Sequence, residues 1–400
     1  MGLLRAMGKE QGTWERGSEE ASTRAPSFPR SLIHSIVLRS MLLCTTLLLS
    51  TLTSQSSSAS EEKYGADFLQ QLTAAEVDGM GESLAAYSIG VRSLNNNPAG
   101  LAYVGRSELL INAHRLPRIT AVIMKEKEDG KWEDCGRYNI EPTEMGLISY
   151  ALPLGRFGNL GVSLVFHYGG RFIRVDEEGK AVNAFPRDDL AFAVGYSLRI
   201  SQGVSAGFDI KSIRSKVPVD DGRSIGRTYA TNIGFLHQIS TRVRVGAVVQ
   251  NLGRRLSFDT PDIPSNLRRR LLMGAMYTVR DSENSVLSLS MDVNPPFEDG
   301  PRYNLGVELL YAQRVAFRIG YMRSTEIYHD PLLNLHDQSS INEERVWIRE
   351  GPTIGVGLKF RGVEIDFARA PRREPDLNTG EKLRLEEHDS IMSFSCTAKF

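Results

Sequence analysis

Hydrophobic and polar residues alternate with a period of two along most of the chain, from Arg106 to the C-terminus. In residues 160–168, LGVSLVFHY, the even positions are apolar or aromatic and the odd positions are mostly small or polar. The same alternation recurs in residues 190–200, 203–211, 303–311 and 315–321. Because successive side chains of a β-strand point to opposite faces, the pattern predicts strands with one apolar face and one small or polar face.

Strand length and the order of the connections distinguish a membrane barrel from a soluble β-sandwich, which shows the same alternation. Several predicted strands run about ten residues, which is the length needed to cross a bilayer at a tilt. Tight turns are predicted at 156–157, 201–202, 240–241, 281–283, 313 and 361–362. Longer polar loops are predicted between them, at 169–187, 215–224, 251–268, 294–300, 323–350 and 370–387. Short turns on one rim and long loops on the other are typical of up-and-down outer-membrane barrels, whose turns are periplasmic.

The number of strands follows from counting back from Phe400. Thirteen predicted strands lead to one at 143–153, and a fourteenth within 106–124, kinked at Pro117, returns the chain to the rim with the short turns. An even number of strands closes such a barrel. We therefore predict an all-β fold, a transmembrane up-and-down antiparallel β-barrel of about 14 strands formed by residues 106–400.

The two faces of these strands are expected to have different surroundings, with apolar residues facing lipid and Gly, Ala, Ser and charged residues facing the lumen. For the hairpin near the C-terminus we predict that Lys359 and Asp366 point inward and that Phe360 and Phe367 point outward. The charged residues of the predicted inner face include Asp209, Arg244, Glu308, Arg318, Lys359 and Asp366. They either line a path for a polar solute or pair across strands and rigidify the wall, and we favour pairing because buried polar groups need partners.

Residues 61–105 have a different pattern. They are rich in alanine, contain no period-two run, and place apolar residues near helical spacing: Phe68, Leu69, Leu72, Ala75 and Val77. One or two short helices and irregular chain are expected there. The segment is too small to hold a core of its own, so we predict that it forms a plug, or hatch, inside the barrel lumen.

The first 60 residues are predicted to be an over-extended N-terminus and a cleaved signal peptide. A short apolar run at 42–52 follows Arg30 and Arg39 and precedes the small, polar stretch SQSSSAS. Cleavage near Ser60 leaves a mature chain that starts near Glu61, and Met41 or a nearby upstream residue is a better initiator than Met1. Leucines precede Cys44 where a lipoprotein signal needs a small residue, which argues against a lipid anchor.

Composition excludes several classes of partner and cofactor. The chain has 48 basic and 48 acidic residues and therefore no net field to recruit nucleic acid. Three cysteines are too few and too scattered for a disulfide framework or a cysteine-based zinc site. No cofactor is expected.

The sequence gives little support to two other protein classes, an enzyme and a β-propeller. No histidine sits in a His-x-x-x-His metal arrangement or beside a Gly-x-Ser-x-Gly nucleophile elbow. His329 and His336 share a long loop, but two histidines alone are weak support for a metal. The chain also lacks the Trp-Asp and Gly-His signatures of propeller blades. We therefore expect neither catalysis nor a metal site.

Residues 93–102, SLNNNPAGLA, lie just before the first predicted strand. The Asn-Pro-Ala-Gly-Leu-Ala sequence resembles the plug motif of the FadL/TodX family of outer-membrane transporters and of its PorV-like relatives. Other stretches resemble the PorV-like branch of the spirochaete type: residues 250–253 with Pro264, 318–321 and 355–358. This resemblance covers the chain from about Ala75 to Phe400.

The resemblance implies a 14-stranded barrel in the bacterial cell outer membrane with an internal hatch, a lateral opening, and uptake of long-chain fatty acids or similar hydrophobic molecules. Asn97, Pro98, Ala99 and Gly100 match the hatch motif. Proline fixes the backbone and asparagine bonds neighbouring chain, which makes a compact stop; the alternative is a simple turn into the first strand. A second functional alternative is a PorV-like outer-membrane scaffold that binds secreted or surface proteins without transporting lipid.

The last strand carries one further resemblance. Phe394 and the terminal Phe400 resemble the C-terminal signal that barrel-assembly machinery recognises. The expected partners are therefore outer-membrane lipid, a hydrophobic ligand such as a fatty acid, and the barrel-assembly machinery, with no nucleic acid.

Overall fold

The structure is a computed structural model, and the chain separates into two units, Met1–Ser60 and Glu61–Phe400. The residues that the structure describes belong to the second unit: 64–71, 73–116, 119–126, 132–140, 143–175, 181–219, 222–259, 266–295, 301–328, 345–371, 373–375, 383–387 and 390–400. The predicted signal peptide, the Cys44 position and the loop histidines His329 and His336 lie outside the described residues.

The described part of the chain consists mostly of β-strands. In chain order they are β1 (Tyr64–Gly65), β2 (Glu108–Arg115), β3 (Ile119–Glu126), β4 (Trp132–Ile140), β5 (Glu144–Pro153), β6 (Asn159–Val175), β7 (Ala181–Ser201), β8 (Val204–Val219), β9 (Gly222–Gln238), β10 (Val243–Gly253), β11 (Asn266–Leu267), β12 (Arg270–Asp281), β13 (Ser285–Asn294), β14 (Arg302–Tyr311), β15 (Val315–Tyr328), β16 (Arg345–Phe360), β17 (Val363–Ala370), β18 (Arg373–Pro375), β19 (Leu383–Glu387) and β20 (Ile391–Lys399).

Fourteen of these strands close into an antiparallel barrel, as predicted. Each barrel strand pairs with the barrel strand before it and the barrel strand after it in the chain, including β15 with β16. The first barrel strand, β2, pairs with the last, β20, which closes the barrel. The short β18 extends β16. A separate three-stranded sheet contains β19, β3 and β4, and β1 pairs in parallel with β11. Among the described residues, no helix is long and apolar enough to cross a bilayer.

Three of the predicted segments had wrong boundaries. The first barrel strand ends at Arg115, and residues 119–126 pair with β4 instead of continuing it; Pro117, the predicted kink, lies outside the described residues. Proline lacks a backbone N–H and cannot continue a ladder, which explains why the strand stops before it. The predicted loops at 169–187 and 215–224 are largely strand, because β6 to β9 run on as paired ribbons past the length that a membrane requires.

The side-chain register follows the sequence pattern. Asp366 has no exposed surface, whereas Phe367 is 49% exposed and Phe360 is 57% exposed. Lys359 reaches the buried carboxylate of Glu364, with its Nζ 2.9 Å from Oε1. The predicted inward and outward faces of this hairpin are confirmed.

The plug fills the lumen along its height. Its helical segments are a 3₁₀ helix at Asp67–Gln71, α1 at Ala75–Gly79, and two more 3₁₀ helices at Gly90–Ser93 and Pro98–Tyr103. The plug begins near the rim with the long loops, where the Phe68 ring stacks on His167 of β6 at 6.0 Å between centroids. It ends near the rim with the short turns, where Asn159 Nδ2 donates to the carbonyl of Val104 at 3.1 Å.

Candidate functional site

Asn97 joins two parts of the plug to the barrel wall. It precedes the helix Pro98–Tyr103, and its Oδ1 accepts from the N–H of Ala99 at 3.2 Å, with proline at the first helical position. Its Nδ2 donates to the carbonyl of Ala85 in the plug at 2.6 Å and to that of Phe235 in β9 at 3.2 Å. Every hydrogen-bonding atom of this buried amide therefore fixes backbone.

The neighbouring hatch residues are held by neutral hydrogen bonds. The carbonyl of Ala99 accepts from the hydroxyls of Ser197 and Ser205, each at 3.1 Å. Gly100 packs so closely that a Cβ there would lie 2.6 Å from the carbonyl oxygen of Ser88. The four predicted hatch residues thus lie together inside the barrel; their movement stays a prediction.

The rest of the asparagine run also bonds to the wall. Asn232 Nδ2 donates to the Asn95 carbonyl at 2.9 Å, and Gln250 Nε2 donates to the Asn96 carbonyl at 3.0 Å. Asn251, which follows Gln250 in β10, has φ 58° and donates its N–H to Asn232 Oδ1 at 2.9 Å. The register of β9 and β10 shifts at this point, so the hatch is tied to a bulge in the wall.

Glycines of the wall face the plug backbone. A Cβ on Gly207 would lie 2.6 Å from the carbonyl carbon and oxygen of Pro98, and one on Gly306 would lie 2.6 Å from the carbonyl oxygen of Met80. Real Cβ atoms do not approach other atoms so closely, so only glycine allows this contact. The wall glycines that meet plug backbone are Gly207, Gly246, Gly306, Gly320 and Gly355, whereas Gly161, Gly195 and Gly234 meet plug side chains.

Buried charged groups hold residues 76–92 of the plug to β14, β15 and β17. The guanidinium of Arg92 lies 2.5 Å from Glu76 Oε2 within the plug, and it also bonds Glu364 of β17. Arg318 of β15 donates to Glu308 and Asp366, each at 2.7 Å. These side chains are buried together in the lumen.

A second charged contact lies nearer the rim with the long loops. Glu82 of the plug bonds Arg302 of β14, and its other oxygen accepts from Arg349 of β16 at 2.6 Å. Asp292 of β13 accepts from the backbone N–H groups of Leu84 and Ala85, at 2.5 and 2.7 Å. The segment around residues 76–92 is therefore held by charged groups, and residues 93–104 are held mainly by neutral ones.

The preferred interpretation of the inner-face charges was partly right. Glu308 and Arg318 are register partners on adjacent strands and do pair across the wall. However, the plug supplies partners that were not predicted, chiefly Glu76, Glu82 and Arg92. The available signal was that these are charged residues in an otherwise small and apolar segment expected to be buried.

Three carboxylates, Glu76, Glu364 and Asp366, place one oxygen each within 4.8 Å of one another, a spacing that suits a metal ion. Arg92 bonds Glu76 and Glu364, and Arg318 bonds Asp366. Guanidinium groups thus supply the positive charge at this cluster, and we assign no metal to it.

The charged environment changes the protonation of the plug carboxylates. Burial alone raises the pKa of Glu82, but the guanidinium groups of Arg349 and Arg302 outweigh burial and lower it from 4.5 to about 2. Burial likewise opposes ionisation of Glu76, and the positive charge of Arg92 is the main cause that lowers its pKa to about 2. Both carboxylates are ionised at neutral pH and remain so in mild acid.

A pH dependence of stability follows. A carboxyl whose folded pKa is depressed stabilises the fold fully above its unfolded pKa, 4.5 for Glu82, and loses that contribution as the pH falls toward about 2. Burial raises the pKa of Asp78, so the contribution of that group has the opposite sign. We expect the urea concentration at the midpoint of unfolding to decrease as the pH drops below about 4.5. Glu82→Gln is expected to lower this midpoint at neutral pH and to make its decrease in acid less steep. The matched control is Glu283→Gln at an exposed turn; a fall equally steep in Glu82→Gln and in the control contradicts the assignment.

Apolar side chains fill the lumen between the start of the plug and the wall. The cluster includes Phe68, Leu69, Val165, Ile213, Ala230, Leu256 and Leu267. Lys211 of β8 lies beside it, 1% exposed, with Ala193 and Ala230 as its partners on the adjacent strands. Its Nζ lies 3.3 Å from Asp209 Oδ1. The region therefore combines apolar surface with one buried ammonium group.

Sequence comparison identifies no relative: no family model matches the chain, and no curated protein matches it. Solved structures do match. The P. putida toluene transporter TodX superposes with a TM-score of 0.56 at 14% identity, covering 82% of this chain and 98% of that one. A Pseudomonas aeruginosa FadL homologue gives 0.51 at 14%, covering 82% and 98%, and the CymD monoaromatic hydrocarbon channel gives 0.52 at 13%, covering 82% and 97%. The chain therefore has the closed 14-stranded antiparallel barrel fold of the FadL/TodX outer-membrane transporters.

Proposed function

We propose that the protein is an outer-membrane channel for hydrophobic small molecules and that its ligands are long-chain fatty acids. The observation that carries the proposal is the apolar region of the lumen, which the start of the plug forms with the wall and which lies beside a buried lysine. The structural neighbours that carry toluene and monoaromatic hydrocarbons support the broader class of ligand.

The apolar region supports binding of an alkyl chain. Phe68 and Leu69, at the start of the plug, pack there against wall residues such as Val165 and Ile213. An alkyl chain entering from the rim with the long loops takes over these contacts, and each buried methylene group contributes about 0.8 kcal/mol.

Lys211 supports a carboxylate head group. Burying an ammonium group is costly unless it is paired and hydrogen-bonded. Asp209 is the ion-pair partner of Lys211 in the described part of the chain. A fatty-acid carboxylate supplies a second charged acceptor, which a neutral hydrocarbon does not.

The contacts of the hatch support passage of the ligand beside β6 to β10. Asn97 and Ala99 hold the plug to β7, β8 and β9 through neutral hydrogen bonds, which exchange for water more readily than buried ion pairs do. We propose that residues 93–104 are the part of the hatch that moves away from the wall when a ligand passes.

The test is binding of a fluorescent long-chain fatty acid to the protein purified in detergent, with the heat-modifiable gel shift as the folding control. Saturable binding displaced by unlabelled fatty acid is expected. Lys211→Met is expected to weaken it by roughly tenfold or more while leaving toluene binding unchanged, because a lost charged hydrogen bond costs about 1.5–3 kcal/mol. Lys216→Met, further along β8, is the matched control and is expected to bind as the wild type does.

The other outcomes separate the alternatives. Toluene binding without fatty-acid binding supports a hydrocarbon channel. A folded barrel that binds neither ligand supports the PorV-like scaffold, and the resemblance to that branch stays a prediction.

The location and assembly of the protein are part of the same proposal. Phe394 and Phe400 both expose their rings, at 46% and 68%, as an assembly signal read by barrel-assembly machinery requires. Cleavage near Ser60 is checked by sequencing the N-terminus of the outer-membrane protein, which we expect to begin at Glu61.

A further inference from the structure

The rim with the short turns carries a basic residue at nearly every strand connection. These exposed residues, here called the basic ring, are Arg106, Arg156, Arg199, Arg242, Arg280, Arg314, Arg361 and Lys399. The exposed acidic residues described at this rim are Asp281 and Glu283, both in the turn between β12 and β13. Glu108 and Glu364 lie close by but are buried and face the lumen. The rim is therefore strongly positive although the whole chain has no net charge.

Most arginines of the ring are not engaged by the protein's own acids. Within the described residues, no carboxylate lies at ion-pair distance from Arg156, Arg242, Arg314 or Arg361. Arg156 instead lies over the ring of Phe157, with 4.8 Å from Cζ to the ring centroid, and Arg361 lies over Phe360 at 5.1 Å. Their hydrogen-bonding groups are left for an external acceptor.

The connections at the opposite rim have a different charge pattern. Residues 323–350 contain three arginines and six acidic residues, so positive charge there is offset by negative charge. Arg323 lies 3.4 Å from Glu350 in this region. Charge is thus segregated between the two rims.

The basic ring lies where the apolar outer surface ends. Large apolar side chains at the same turns are strongly exposed, namely Phe157, Ile200, Ile239, Tyr311, Phe360 and Phe400. Exposed apolar and aromatic residues beside arginines are typical of the level at which hydrocarbon gives way to lipid head groups.

We propose that the basic ring binds the phosphate groups of anionic phospholipids in the leaflet that surrounds the short turns. The planar guanidinium group presents paired donors that match phosphate oxygens, and the aromatic neighbours hold it at head-group height. This inference rests on the proposed outer-membrane location but not on the identity of the transported ligand.

The test measures which lipids surround the full protein in phosphatidylcholine vesicles that contain spin-labelled phosphatidylglycerol or spin-labelled phosphatidylcholine. We expect phosphatidylglycerol to be restricted in motion by the wild type roughly threefold or more in preference to phosphatidylcholine, because each basic residue near the surface attracts anionic lipid. The preference falls at about 1 M salt, where charges are screened beyond about 3 Å.

The variants assign this preference to the ring. Replacing Arg156, Arg242, Arg314 and Arg361 together by glutamine is expected to remove most of it. The matched control replaces four exposed arginines of the opposite half, Arg223, Arg254, Arg323 and Arg369, and is expected to keep it. The heat-modifiable gel shift verifies folding of each variant.

Three results overturn the inference. The first is that the folded, inserted wild type shows no preference for phosphatidylglycerol. The second is that the control variant loses this preference as much as the ring variant does. The third is that the protein does not enter the bilayer. Fatty-acid binding is measured on the same samples: its loss without loss of lipid preference contradicts the proposed ligand alone, whereas failure to insert contradicts the proposed location as well.

Discussion

Gly207→Val is expected to force the hatch off the barrel wall and to open a leak through the lumen. The added side chain meets the backbone of Pro98 and Ala99, 2.6 and 2.8 Å from where its Cβ must lie. Valine suits a β-strand, so the strain falls on the hatch, whose contacts in this region are neutral hydrogen bonds. Overpacking costs about 1–3 kcal/mol, which raises the population of a displaced hatch by about 5- to 150-fold.

The measurement is ion conductance of single proteins in planar bilayers. Gly105→Val is the matched control, since a Cβ there has no atom within 4 Å, and it is expected to conduct as the wild type does. Asn97→Ala, which removes the amide that ties the hatch to Phe235, is expected to change conductance in the same direction as Gly207→Val. Folded Gly207→Val protein with the conductance of the Gly105→Val control contradicts the proposed role of this contact.

The sequence predicted the glycine contacts only in outline. Alternation assigned Gly207 and Gly306 to the lumen face, because period two determines which side chains share a face. It did not indicate that the plug backbone lies directly against them. Such a contact depends on where a separate segment packs across the lumen, and a local pattern contains no information about that.

The ion pairs of the plug likewise could be predicted from the sequence only in part. Arg318 and Asp366 were assigned to the inner face, and the favoured pairing of wall charges is found between Glu308 and Arg318. The partners Glu76 and Arg92 were missed, since they come from residues 61–105, far away in sequence. Long-range pairing of charges follows from the closed fold.

The extent of the strands was also only partly predictable. Polar and charged residues at 169–187 indicated a loop, yet β6 and β7 remain paired there. Antiparallel neighbours satisfy each other's backbone groups whether or not their side chains alternate, so pairing continues beyond the amphipathic stretch. Asn97, by contrast, does bond neighbouring chain as its residue type predicts, and it caps the helix that begins at Pro98; the hatch role of this motif stays a prediction.

Arg318→Met is expected to destabilise the protein by about 3–5 kcal/mol, because it leaves buried carboxylates without their main positive partner. Arg318 is 2% exposed and donates to Glu308 and Asp366. The measurement is the urea midpoint of unfolding followed by the heat-modifiable gel shift. Arg323→Met on the same strand is the matched control: its ion pair with Glu350 is exposed, and such pairs contribute about 1 kcal/mol or less.

A further variant separates lost charge from lost packing. Arg318→Met combined with Glu308→Gln and Asp366→Asn removes the uncompensated carboxylates and is expected to recover much of the loss, since neutral buried groups cost less than unpaired charges. A deficit that is unchanged in the triple variant would mean that Arg318 acts through its packing against the plug, and that the ion pairs themselves contribute little to holding the plug in place.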